Sequence, residues 1–84
     1  MYFGQLQAAV LDLVADAPLL RPGIRADVRD HIRAGEVGLA FETLCEFLYE
    51  DALPLSRAYY DRLEAMTVEL EDVTSLHRLD ELVT

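Results

Sequence analysis

The chain has 84 residues, 52% of them hydrophobic, and carries 16 Asp and Glu against 7 Arg and no Lys. This length accommodates one domain, residues 1–84, with enough apolar material for a folded core. The net charge of −9 argues against direct binding to nucleic acid or to an anionic membrane surface, because both are themselves negatively charged.

The first two predicted helices show apolar residues at helical spacing. The face of the first helix consists of Phe3, Leu6, Val10, Leu13 and Val14. We expect that helix to end before Pro18, since the residue preceding a proline disfavours helical geometry. The second helix begins near Pro22 and stops at Gly35 in a left-handed cap. Its inward residues are Ile24, Val28, His31 and Ile32.

The third helix has the clearest apolar pattern of the chain. Its central stripe is Val37, Phe41, Leu44 and Leu48, with Ala40 and Phe47 on one shoulder and Cys45 on the other.

A fourth helix is predicted to follow Ser56, whose hydroxyl is suited to accept a free N–H of the first turn. Leu55 and Tyr60 occupy the positions of a hydrophobic staple around this cap. The inward face of the fourth helix is Tyr59, Leu63, Met66 and Leu70. A last, weaker helix carries Leu76, Leu79 and Val83 after a cap at Asp72 or Thr74. No segment alternates apolar and polar residues, so the prediction is an all-α bundle of four to five short helices without strands.

The third helix also carries Glu42, Glu46 and Glu50 at intervals of four, a spacing at which like charges weaken a helix slightly. Three interpretations stay open. The stripe is a solvated face, it is partly neutralised by the arginines of the second helix (Arg25, Arg29 and Arg33), or it meets a positively charged protein partner.

Several side chains near the acidic residues are candidate partner contacts. Tyr60 is expected to have a half-buried ring with its hydroxyl in water, and Leu39 is an apolar residue on the polar side of its helix. The full set of candidate partner-binding residues is Leu39, Glu42, Glu46, Tyr49, Glu50, Asp51, Tyr60, Asp61 and Glu64.

No catalytic, cofactor or metal site is predicted. Cys45 lies on an apolar shoulder without an oxyanion donor, so pairing it with His31 or His77 does not make a nucleophile. Asp27 and His31 are only two ligands on one face, too few for a metal. Two helices that meet at Gly35 are similar to a helix-turn-helix motif, but the second helix is acidic. A negatively charged helix is unsuited to the major groove of DNA.

The middle of the sequence resembles a known family. The stretch 28–44, with an amphipathic helix followed by Gly35-Glu36, Leu39-Ala40 and an acid before Leu44, is similar to the signature of the MafI-type immunity proteins. The resemblance covers about residues 24–70. Acyl carrier proteins share this chain's size, charge and number of helices, but the chain lacks the Asp-Ser-Leu motif that opens their second helix.

The resemblance implies a small cytoplasmic immunity protein that binds and neutralises a cognate secreted toxin domain, often a nuclease with a basic cleft. The resemblance implies no catalytic residues. The lone cysteine and the absence of a basic residue before Arg21 are also typical of a cytoplasmic chain. We expect a monomer or weak homodimer. The alternative is an acidic helical adaptor unrelated to toxins.

Overall fold

The computed structural model describes residues 2–18 and 20–84, which form four α-helices and a short 3₁₀ turn. The helices are α1 (Phe3–Asp16), α2 (Pro22–Arg33), α3 (Val37–Glu50) and α4 (Arg57–Leu70), and the 3₁₀ turn spans Leu79–Leu82. The described residues contain no β-strand, although Leu55 and Val83 pair in one isolated parallel bridge. The prediction of a small all-α bundle is confirmed.

Helix α3 packs against α1, α2 and the 3₁₀ turn, and it supplies the largest share of the core. Its predicted apolar stripe is buried along its whole length, together with Ala40 and Cys45, while Phe47 is partly buried. Burial of this continuous stripe is what fixes the opposite side of α3 toward solvent.

Helix α2 ends as the sequence predicts. Gly35 has φ +82°, and its N–H donates to the carbonyl of Ile32 at 3.0 Å. The next N–H, from Glu36, donates to the carbonyl of His31 at 2.8 Å. This pair of hydrogen bonds is a Schellman motif, which satisfies the last carbonyls of the helix and turns the chain toward α3.

The start of α4 also follows the prediction, because the Ser56 hydroxyl accepts the Tyr59 N–H at 3.1 Å. Tyr59, Leu63 and Met66 are buried in the core. The Tyr59 hydroxyl donates to the carbonyl of Leu13 at 2.6 Å, which ties α4 to the last turn of α1.

Two predictions near the ends of the chain are wrong. Phe3 was expected on the buried face of α1, but it is 55% exposed because it is the first residue of the helix and the core begins further along. The last α-helix does not form. Asp72 accepts the backbone N–H groups of Thr74 and Ser75, as the predicted cap requires. The following N–H groups of His77 and Leu79 donate to carbonyls only three residues back, and Arg78 has φ +65°, so only the four-residue 3₁₀ turn forms.

Candidate acidic interface

The acidic stripe lies on the solvent side of α3. Glu42, Glu46 and Glu50 are all exposed, and the burial of the opposite stripe holds them there. Within residues 2–18 and 20–84, no ion pair involves any of these three carboxylates. The stripe therefore presents three carboxylates to solvent without an ion-pair partner in the described structure.

The arginines of α2 do not form ion pairs with this stripe, contrary to one of the three interpretations of the sequence. The Arg25 guanidinium donates to the carbonyl oxygens of Val14, Ala15 and Ala17 at the end of α1. Arg33 pairs instead with Asp30, three residues before it on α2, at 3.3 Å. Helix α1 has no basic residue in its last turn, and carbonyl oxygens there accept hydrogen bonds from Arg25, so this guanidinium does not reach the stripe of α3.

A groove of about 470 Å³ runs beside the acidic stripe, between α3 and the segment 74–78. The walls of the groove consist of Glu42, Cys45, Glu46, Tyr49, Glu50, Thr74, Ser75, His77 and Arg78. The structure thus brings together four of the nine predicted partner contacts. It adds a second wall from the C-terminal segment.

Tyr49 is the aromatic side chain of this groove and is 40% exposed. The Arg78 guanidinium carbon lies 5.5 Å from the centre of the Tyr49 ring. Arg78 also donates through Nε to Glu81 at 3.2 Å, and this hydrogen bond raises the pKa of the guanidinium. The contact with Tyr49 is a cation–π interaction on the rim of an acidic groove.

Cys45 forms part of the groove wall but is only 1% exposed. Burial, followed by the charge of Asp72, raises the pKa of the thiol. A thiol that stays protonated is a poor nucleophile, and no hydrogen bond joins it to His77 among the described residues. The buried position agrees with the expectation of a packed cysteine.

Two further predicted contacts flank the groove on α3. Leu39 is 44% exposed on the polar side of the helix. Asp51 follows the end of α3 and pairs with Arg21 at 2.9 Å. Because its charge is already balanced, Asp51 differs from the three glutamates of the stripe.

The three predicted contacts on α4 do not line the groove. Tyr60 is only 9% exposed, so the expectation of a half-buried ring is wrong. The ring belongs to the core cluster, and the Arg57 guanidinium covers it at 5.4 Å. Asp61 pairs with Arg57 at 3.2 Å, and Glu64 is exposed.

Sequence reasoning did not find the C-terminal wall of the groove. Thr74, Ser75, His77 and Arg78 carry no periodic or motif signal that relates them to α3. Their placement depends on Leu79, which is fully buried and anchors the segment, and on the hydrogen bonds between residue 55 and residues 82 and 84. Contacts between residues so far apart in the chain cannot be predicted from the spacing of residues within one segment.

The described part of the chain shows no group of three or more His, Cys, Asp or Glu side chains placed to hold a metal ion. None of its helices combines the length and the apolar character that crossing a membrane requires. Comparison with known proteins gives no match to a family model, to a curated protein or to a solved structure.

Proposed function

We propose that this chain is an immunity protein of the MafI type, which binds a cognate secreted toxin domain and neutralises it in the cytoplasm. The resemblance of residues 24–70 supplies the class of function. The observation that carries the proposal is the face of α3, where Glu42, Glu46 and Glu50 are exposed without ion-pair partners in the described structure.

The mechanism we propose is occlusion of a basic active-site region, such as the cleft of a nuclease. The acidic face steers the encounter, since opposite charges raise the association rate. Leu39 and Tyr49 supply exposed apolar and aromatic surface beside the charges, which slows dissociation once it is buried. The partner is the cognate toxin domain, and we expect this protein to be a monomer or weak homodimer.

An acidic helical adaptor unrelated to toxins is the alternative, and it needs the same face. The two functions differ in what lies beside the gene. A secreted-toxin gene directly adjacent is the setting we expect, and the toxin domain that it encodes is the partner to test.

The decisive experiment expresses that toxin domain in a bacterial host with and without this chain. We expect growth to be restored by co-expression, and the two proteins to purify as a complex. An active toxin that still kills in the presence of the folded chain, with no complex, contradicts the immunity function and leaves the adaptor.

The α3 face is tested by the double variant Glu42→Gln and Glu46→Gln. We expect the affinity for the toxin domain to fall by at least about tenfold, or about 1.4 kcal/mol, at low salt. The matched control is Asp12→Asn with Asp27→Asn, which removes two exposed carboxylates from α1 and α2. Equal losses in the two double variants, measured by titration calorimetry, indicate that only net charge matters and contradict the assignment of this face.

A further inference from the structure

We propose that the groove between α3 and the segment 74–78 receives an arginine side chain of the partner protein, in the place that Arg78 holds in the free chain. This inference rests on the proposed function, because it names the chemical group of the partner that the groove recognises. The inference comes from three properties of the groove: its negative charge, the aromatic ring in its wall, and the Arg78 side chain that lies against that ring in the free chain.

The three glutamates of the groove outnumber its basic side chains and form no ion pair in the described structure. Glu42, Glu46 and Glu50 line the groove, whereas Arg78 is the one arginine that residues 2–18 and 20–84 contribute to its wall. Arg78 forms its ion pair with Glu81, which does not line the groove. A second cation entering beside the stripe therefore meets three carboxylates that have no ion-pair partner in the described structure.

The aromatic wall selects a guanidinium among cations. The Arg78 guanidinium already lies 5.5 Å from the Tyr49 ring centre, so the groove accommodates a flat cation against this ring. An arginine stacks on an aromatic face and donates hydrogen bonds sideways to carboxylates, whereas the ammonium of lysine is compact and strongly hydrated. The combination of Tyr49 with Glu46 and Glu50 fits arginine better than lysine.

The present occupant is easily displaced. The side chains of Arg78 and Glu81 are 55% and 52% exposed, and a surface ion pair of this kind contributes little free energy. Because the Arg78 side chain is more than half exposed, we expect it to leave the Tyr49 ring by rotating into solvent. In the free chain, Arg78 is therefore a weak competitor for the site.

The test uses the full chain and a small probe, Nα-acetyl-arginine methylamide, with the lysine analogue for comparison. Amide shifts in the ¹⁵N–¹H NMR spectrum report which residues respond. We expect saturable shifts at residues 45–50 and 74–78, with the lysine analogue at least about threefold weaker. We also expect Arg78→Gln to strengthen arginine binding by about two- to fivefold, because the competing cation–π contact is lost.

The matched control is Arg33→Gln. Arg33 is also an exposed arginine paired with an acid three residues away, at 3.3 Å, but it does not line the groove. The variant Arg33→Gln changes the net charge by the same amount as Arg78→Gln. It therefore shows how much of any gain in affinity is due to general electrostatic attraction. A second variant, Tyr49→Leu, is expected to abolish the preference for arginine over lysine, while its aliphatic side chain keeps that wall of the groove apolar.

Absence of saturable shifts at the groove in both the natural chain and Arg78→Gln overturns the inference. An equal gain in Arg78→Gln and Arg33→Gln also overturns it, since the effect is then one of net charge. Binding that appears in Arg78→Gln but not in the natural chain or in Arg33→Gln still supports the groove as the arginine site, and it contradicts only the weak competition expected of Arg78. Because the probe needs no toxin, a chain that binds the probe but fails to protect cells contradicts the proposed function alone.

Discussion

Tyr59 joins two helices through a single buried hydroxyl. Its O–H donates to the carbonyl of Leu13, in the last turn of α1, where helix geometry leaves carbonyls without intrahelical partners. The ring is covered on another side by the Arg62 guanidinium, at 5.6 Å, and Arg62 pairs with Asp16 of α1 at 3.0 Å. The sequence predicts the buried ring from its spacing, but not the partner of the hydroxyl.

The variant Tyr59→Phe removes this hydroxyl and keeps the ring. We expect the free energy of unfolding in urea to fall by about 1 to 3 kcal/mol, because the buried carbonyl of Leu13 loses its partner. Tyr2→Phe is the control, since Tyr2 is 80% exposed and its change is expected to stay within about 0.5 kcal/mol. Equal effects of the two substitutions contradict a stabilising role for the hydrogen bond.

Among the helices, α2, α3 and α4 end in the same way. Each is followed by one residue with positive φ: Gly35 at +82°, Ala52 at +48° and Glu71 at +54°. After α3, the N–H groups of Ala52 and Leu53 donate to the carbonyls of Tyr49 and Leu48. Only the first of these ends is visible in the sequence, because glycine is the residue that signals a left-handed turn and alanine and glutamate do not.

The strain at Ala52 gives a prediction for this element. Ala52→Gly is expected to raise the free energy of unfolding by about 0.5–1 kcal/mol, since relief of the left-handed backbone outweighs the greater entropy of glycine in the unfolded chain. The control Ala8→Gly, at an exposed position inside α1, is expected to lower it by about 1 kcal/mol. Thermal and urea unfolding measure both, and a loss of stability at residue 52 contradicts the interpretation.

At the scale of the whole molecule, the C-terminal segment decides the shape of the interface. Leu79 is fully buried, and the N–H groups of Leu55 and Thr84 bond with the carbonyls of Leu82 and Leu55 at 2.9 Å each. These contacts hold the segment 74–78 beside α3, where it forms the second wall of the groove. Without them the stripe is a convex helix face rather than one wall of a groove.

The core also holds two proton donors in their neutral form. Burial raises the pKa of the Cys45 thiol above its ordinary 9.0 and that of the Tyr59 phenol above its ordinary 10.0. The unfolded chain releases both protons near the ordinary values, whereas the folded chain retains them. Above about pH 9 the unfolded state therefore binds fewer protons, and the free energy of unfolding falls as the pH rises.

We expect these two groups to have no effect on the melting temperature below about pH 9. Between about pH 9 and pH 11 we expect them to lower it. Each group contributes a slope of up to about 1.4 kcal/mol per pH unit. Tyr59→Phe removes the contribution of the phenol, so its slope above about pH 10 should be shallower than that of the natural chain. Parallel curves, followed by circular dichroism, contradict burial of the phenol as the cause.

The sequence by itself determined the four α-helices, most of their buried faces, the end of α2 and the cap of α4. These features depend on spacing and on neighbouring residues, and the stripe of α3 needs only its period to identify its inward side. The acidic residues of that helix were visible for the same reason.

Only the tertiary structure decided which surfaces meet. It buried Tyr60, directed Arg25 to the end of α1 and placed Arg78 against Tyr49. Each of these outcomes joins residues that are distant in the chain or depends on the packing of other elements around them. The spacing of residues along the chain cannot specify these contacts, because they form only when all the helices pack together into one core.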